Sequence, residues 1–153
     1  MERGILSDIW NLSSLVELSL CNCNLIEGEI LNHICHLSSL EELSLDGNYF
    51  SSIPVGINWL SNLRVLNFSH CKNLLRSPDL PTSLTCLNLN HCKKLEEIPE
   101  LPSSLRFLDV HCSGGILFSP SLLSIHPLVN CFKSELIHFH GIDPFSFLRT
   151  GFT

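Results

Sequence analysis

The stretches LRVLNFSHCKNL (63–74) and LTCLNLNHCKKL (84–95) are near copies of one another, set 21 residues apart. Each places a histidine directly before a cysteine, as His70-Cys71 and His91-Cys92, and a third pair, His111-Cys112, follows about one period later. Such pairs admit three readings: metal ligands, a thiol nucleophile with its base, or the marks of a repeated fold unit. Outward from them, the template L-x-x-L-x-L-x-x-(C/N) starts at Leu15 (LVELSLCNC), Leu40 (LEELSLDGN), Leu63, Leu84 and Leu105 (LRFLDVHCS), at spacings of 25, 23, 21 and 21 residues. A single copy means little. Five in series at a nearly constant period mark a repeat.

The period matches that of leucine-rich repeats, about 20–29 residues. It predicts an α/β solenoid: a horseshoe with a parallel β-sheet on its concave face and short helical, 3-10 or extended proline-containing segments on its convex face. In each copy the fourth and sixth positions alternate with exposed ones, as the strand period of two requires. Leu18 and Leu20, Leu43 and Leu45, Leu66 and Phe68, Leu87 and Leu89, and Leu108 and Val110 are expected to point inward. One repeat cannot bury its apolar face alone, so the core should run the length of the stack.

The ninth position holds Cys23, Asn48, Cys71 and Cys92. In such a stack this slot turns inward and bonds backbone groups left over where the strand ends. An amide does so strongly, and a thiol more weakly while adding apolar bulk. These four residues read as a structural ladder. In the fifth repeat Cys112 sits at the eighth position and Ser113 at the ninth, which predicts that the ladder frays there. His70 and His91 fall at the eighth position, about one strand spacing apart. Two imidazoles could share a metal, yet the cysteines beside them should face the other way, so a Cys2His2 cage is geometrically poor. A buried, unactivated thiol is equally poor as a nucleophile. This reading carries no metal, no cofactor and no enzymatic activity.

Between the copies, IEGEILNHICHLSS (26–39) and SSIPVGINWLSN (51–62) have room for a short helix or 3-10 turn. LLRSPDLPTS (74–83) and LEEIPELPSS (95–104) do not: Pro78 with Pro81, and Pro99 with Pro102, fix φ and remove donors, which predicts extended backs. Trp10 and Trp59 lie in connecting segments and are expected in core or edge packing. The segment IWNLSSL (9–15) reads as the tail of a repeat whose own strand is missing. The chain is therefore expected to be a piece of a longer protein: the tail of an incomplete leading repeat (1–14), five repeats (15–113), and a post-repeat segment (114–153) that is partial or poorly ordered.

Composition agrees with one domain of 153 residues and a net charge of −6. Nucleic-acid binding would call for a basic face, which is missing. No apolar run reaches the ~20 residues of a membrane span. Glu2, Ser7, Asp8 and Asn11 interrupt the pattern a secretory signal needs. The eight cysteines therefore read as thiols of a cytoplasmic protein.

The template LxxLxLxxCxxL, with the paired SPDLPTSLTCLNL (77–89) and IPELPSSLRFLDV (98–110), resembles the leucine-rich region of plant intracellular TIR-NB-LRR immune receptors. LLSIHPLVNCFKSEL (122–136) is similar to the start of the post-repeat region in those receptors. The resemblance spans about residues 9–136. It implies a repeat region that recognises a pathogen effector, or a host protein altered by one, and that restrains the nucleotide-binding domain of the same receptor. The phosphate loop G-x4-G-K-(S/T) is not in this chain, because no glycine precedes a lysine. The stretch IHFHGIDPFSFLRTGFT (137–153) departs from a complete post-repeat domain. Two other readings compete: a freestanding repeat adaptor, and a fragment of an extracellular leucine-rich receptor. For the second, LIEGEI (25–30) and the acceptor triplets Asn11-Leu12-Ser13 and Asn67-Phe68-Ser69 speak, although a glycan on Asn67 would block the strand face.

Positions three, five, seven and eight should form an exposed grid on the concave side. It comprises Glu42, Ser44, Asp46; Val65, Asn67, Ser69, His70; Cys86, Asn88, Asn90, His91; and Phe107, Asp109, His111. Val65, Cys86 and Phe107 make an apolar column, and apolar strips framed by polar groups often mark protein contacts. Asn67, Asn88 and Asp109 make a polar column that reads more readily as scaffold.

Overall fold

The computed structural model describes residues 8–27, 33–53, 56–76, 79–98, 100–110, 113–114 and the strand 130–132. Each template copy contributes one short strand: β1 (Glu17–Ser19), β2 (Glu42–Ser44), β3 (Val65–Asn67), β4 (Cys86–Asn88) and β5 (Phe107–Asp109). A sixth, β6 (Asn130–Phe132), follows, and all six form one parallel sheet in chain order. Parallel neighbours need a crossover, and here each crossover between template strands is the back of one repeat. The fold is the parallel-strand solenoid that the leucine pattern predicts.

The register advances without slip. Leu18, Leu43, Leu66, Leu87 and Leu108 share one row, and Cys131 of β6 takes the next place in it. β6 thus carries the sheet into the stretch read as post-repeat sequence.

The strands are brief because the chain leaves the sheet at the eighth position of each copy. Asn22, Gly47, His70 and His91 there have φ of 51°, 69°, 59° and 56°. This left-handed region is open to glycine and tolerated by asparagine and histidine, and it is costly for most other residues. A structural role for His70-Cys71 and His91-Cys92 follows: the histidine makes the turn, and the cysteine after it enters the core.

The core lies between the sheet and the backs. Leu43, Leu45, Leu66, Phe68, Leu87, Leu89, Leu108 and Val110 are all buried, and Phe50 meets Phe68 edge-on at 5.9 Å between ring centroids. Leu18, on the outermost strand, is only partly covered. The two longer backs each hold a 3-10 turn, η1 (Ile34–His36) and η2 (Ile57–Trp59), which bury Ile34 and Ile57. The proline-containing backs have no helix among their described residues, and Arg76 bridges in parallel to Ser52 and Glu97. Pro78 and Pro99 lie outside the described residues. Trp10 is buried, but Trp59 is 69% exposed and packs in neither core nor edge: η2 turns Ile57 inward, which leaves Trp59 on the outer side of the same turn.

Candidate functional site

The ninth-position residues hold the rungs together from within. Asn48 is 1% exposed. Its Oδ1 accepts the N–H groups of Cys23 and Leu25 at 3.1 and 3.0 Å, and its Nδ2 donates to the carbonyls of Leu20 and Leu45 at 2.8 Å each. Cys71 donates its thiol to Leu45 O at 3.3 Å, and Cys92 to Phe68 O at 3.1 Å. In both cases the acceptor is the sixth residue of the preceding copy. Ser113 does the same toward Leu89 O at 2.5 Å and accepts Cys92 N–H at 3.3 Å. The fraying expected at the fifth repeat is therefore not seen: a hydroxyl is small enough to turn in and reach the same carbonyl. Cys23 stands apart. It is exposed, and its thiol turns back to Cys21 O at 3.4 Å within its own repeat.

Burial raises the pKa of both buried thiols. Cys71 is pushed up to about 11 and Cys92 to about 12. They stay protonated donors, which suits a ladder and not a nucleophile.

A second ladder has no counterpart in the sequence reading. The residue just before the first leucine of a copy reaches back one repeat. Asn62 donates to Ser38 O at 2.9 Å, Ser83 to Leu63 O at 2.7 Å, and Ser104 to Leu84 O at 2.6 Å. Its signal was a small polar residue at that place in every copy: Ser14, Ser39, Asn62, Ser83 and Ser104.

On the concave side the register lines up the columns. Glu17, Glu42, Val65, Cys86 and Phe107 stand in one row across β1–β5, and Ser19, Ser44, Asn67, Asn88 and Asp109 in another. Glu42 is exposed, while Val65, Cys86, Phe107, Asn67, Asn88 and Asp109 are half-buried. Asn67 and Asn88 each accept the backbone N–H two residues on, from Ser69 and Asn90, at 3.0 Å. That brace is a scaffold task. Asn67 Nδ2 also donates to Ser44 Oγ at 3.1 Å.

Asp46 lies at the centre of the polar part. Burial raises its carboxyl, but hydrogen bonds from Cys21 and Ser44, together with nearby His70, hold it below the usual value. Asn90 Nδ2 donates to Asp109 Oδ2 at 3.1 Å. The thiol of Cys86 is raised by burial and by the charges of Asp109 and Glu42, so it presents an uncharged surface.

His70 and His91 come together as a stacked pair, 4.6 Å between centroids and 13° between planes. Among the described residues no group of three or more His, Cys, Asp or Glu is arranged to hold a metal. Ser69 belongs to the expected grid but is buried, at the strand end between the corresponding residues Asp46 and Asn90. His111 lies outside the described residues. No helix among the described residues is long and apolar enough to cross a membrane.

Comparison with known proteins adds ancestry to this geometry. The family described as RPS4B-like disease resistance protein, leucine-rich repeats, matches residues 8–118. Disease resistance protein RPS4 of Arabidopsis thaliana is 34% identical over 89 residues, which is 56% of this chain and 7% of that protein. TMV resistance protein N of Nicotiana glutinosa is 39% identical over 73 residues, 48% of this chain and 6% of the relative. The chain thus spans a small fraction of the length of these relatives. A solved leucine-rich repeat protein of Leptospira interrogans aligns with a TM-score of 0.40 at 16% identity, over 83% of this chain and 56% of the other.

Proposed function

Because the chain belongs to the leucine-rich repeats of RPS4B-like disease resistance proteins, we propose that it is the protein-binding repeat region of a plant intracellular immune receptor. In this reading the concave sheet recognises a pathogen effector, or a host protein altered by one, and contacts the nucleotide-binding domain of the same receptor to restrain it at rest. The match over residues 8–118 carries the proposal. The registered concave columns supply a surface for it, since stacked repeats present such grids as extended contact areas. The engagement of Asn67 with Ser44 speaks against a glycan there, and so against the extracellular reading.

The test is photo-cross-linking of the full chain in leaf tissue. A cross-linking residue replaces Asn88 on the concave side or Asn58 in η2 on the convex side. Discrete protein adducts from position 88 and none from position 58 are expected. Equal labelling from the two positions would remove the concave face as the recognition surface.

A further inference from the structure

We propose that the concave sheet takes an extended protein segment bearing a lysine or arginine and, about four residues from it, an apolar side chain. This rests on the reading of the sheet as a protein-binding face and names the chemistry of what it binds.

The third-position row divides in two. Glu17 and Glu42 are direct partners in the register, and both are exposed. Like charges placed opposite each other in a sheet are destabilising. No lysine or arginine stands at the third, fifth or seventh position of any of the five repeats, so no permanent cation stands beside the pair, and the histidines of the face lie at the seventh and eighth positions, away from it. Asp46 adds to the same sign on a neighbouring column. The described lysines and arginines sit elsewhere: Arg64 and Arg106 at the second position, Lys72 and Lys93 at the tenth, Lys94 at the eleventh, and Arg76 on a back. Beyond Glu42 the row turns apolar, through Val65, Cys86 and Phe107.

Sign excludes a nucleic acid or an anionic membrane as the occupant. Spacing then sets the motif. From midway between Glu17 and Glu42 to Cys86 is two and a half strand intervals, about 12 Å at ~4.8 Å each. An extended chain covers that distance in about four residues, and residues four apart share a face. A cation seated between the two glutamates therefore brings the side chain four residues away onto the apolar half.

The probes are three labelled ten-residue peptides on a Ser/Thr background. One carries paired arginines with a leucine four residues on, one replaces the arginines with glutamates, and one replaces the leucine with serine. Binding to the full chain is read by fluorescence anisotropy at low and moderate salt. Glu17→Gln/Glu42→Gln is compared with Glu96→Gln/Glu97→Gln, which changes the net charge by the same amount away from the face. The expected result is binding of the arginine–leucine peptide that the face variant weakens at least about threefold and the flank variant leaves unchanged. Val65→Ser, beside Cys86 in the same row and checked for folding by circular dichroism, should weaken the leucine peptide and spare the serine one. Equal loss in the two double variants, or no binding of the arginine–leucine peptide, overturns the proposal. If cross-linking from position 88 still captures protein while the peptides show no charge preference, the binding-face reading stands and this assignment falls.

Discussion

Asn48 shows what one side chain contributes to a stack with so little sheet. It saturates four backbone groups of two adjacent repeats, three of them in buried bonds and the fourth, Cys23 N–H, in a part-buried one. A buried backbone group left without a partner costs on the order of 1–3 kcal/mol, more than the net worth of an ordinary hydrogen bond. Asn48→Leu should therefore lower the unfolding free energy by about 3 kcal/mol or more. Asn48→Cys should fall between it and the native chain, because a thiol can still serve one carbonyl, as Cys71 and Cys92 do. Urea titration of the three proteins checks this order. The thiols themselves predict a pH effect. Burial raises Cys71 from 9.0 to about 11 and Cys92 from 9.0 to about 12. The folded chain holds these protons more tightly than the unfolded one. The stability they contribute is thus complete below about pH 9 and is lost as pH rises toward 11–12. Unfolding midpoints at about pH 8 and about pH 10 should diverge more for the native chain than for Cys71→Ala/Cys92→Ala.

At the scale of one repeat, the turn at the eighth position decides which residues the chain accepts. His70 and His91 occupy left-handed backbone and stack on each other. His70→Gly loses the stack but relaxes the backbone, so its stability should change by less than about 1 kcal/mol. A β-branched residue gains nothing and meets the full steric penalty, so His70→Val should cost about 1–2 kcal/mol. Thermal unfolding of the two variants separates these outcomes, and equal losses from both would show that the stack outweighs the turn. Much of the repeat was legible beforehand, because the strand period acts locally: the inward leucines and the 3-10 backs follow from spacing and from proline chemistry. What escaped reading depends on partners one repeat away. Whether Ser113 can reach Leu89 O, or Ser83 can reach Leu63 O, is a question of how rungs superpose, which no single stretch displays. Trp59 is a similar case, since the sequence marks it as apolar while the inward turn of Ile57 commits it to the outside. On the candidate face the columns were readable from the period, but the burial of Ser69 was not, because it depends on how closely neighbouring rungs approach at the strand end.

Across the whole molecule, each rung touches only its neighbours, so stability is close to a sum of rung and interface terms. The leucines of the fourth position provide a matched series for testing this. They share one row and one environment type, and they differ in how completely they are enclosed. Leu66 has a strand on each side and is fully buried, whereas Leu18 lies on the outermost strand and is only partly covered. Leucine-to-alanine changes cost about 2–5 kcal/mol in a packed core, and the cost grows with the cavity left behind. Leu66→Ala removes contacts on both sides and opens a cavity between two interfaces, so it should fall in the upper half of that range. Leu18→Ala leaves a gap that water can enter from one side and should cost about 1 kcal/mol or less. Native-state hydrogen exchange reads both effects by position. In the native chain, amides paired between β3 and β4 should exchange only through the most costly openings, while those between β1 and β2 exchange through cheaper ones. Leu66→Ala should lower protection across the whole sheet, and Leu18→Ala only at the β1–β2 interface. Uniform protection loss from Leu18→Ala would mean that the stack opens as a single all-or-none unit and not rung by rung. The nearest-neighbour description would then have to be abandoned for this solenoid.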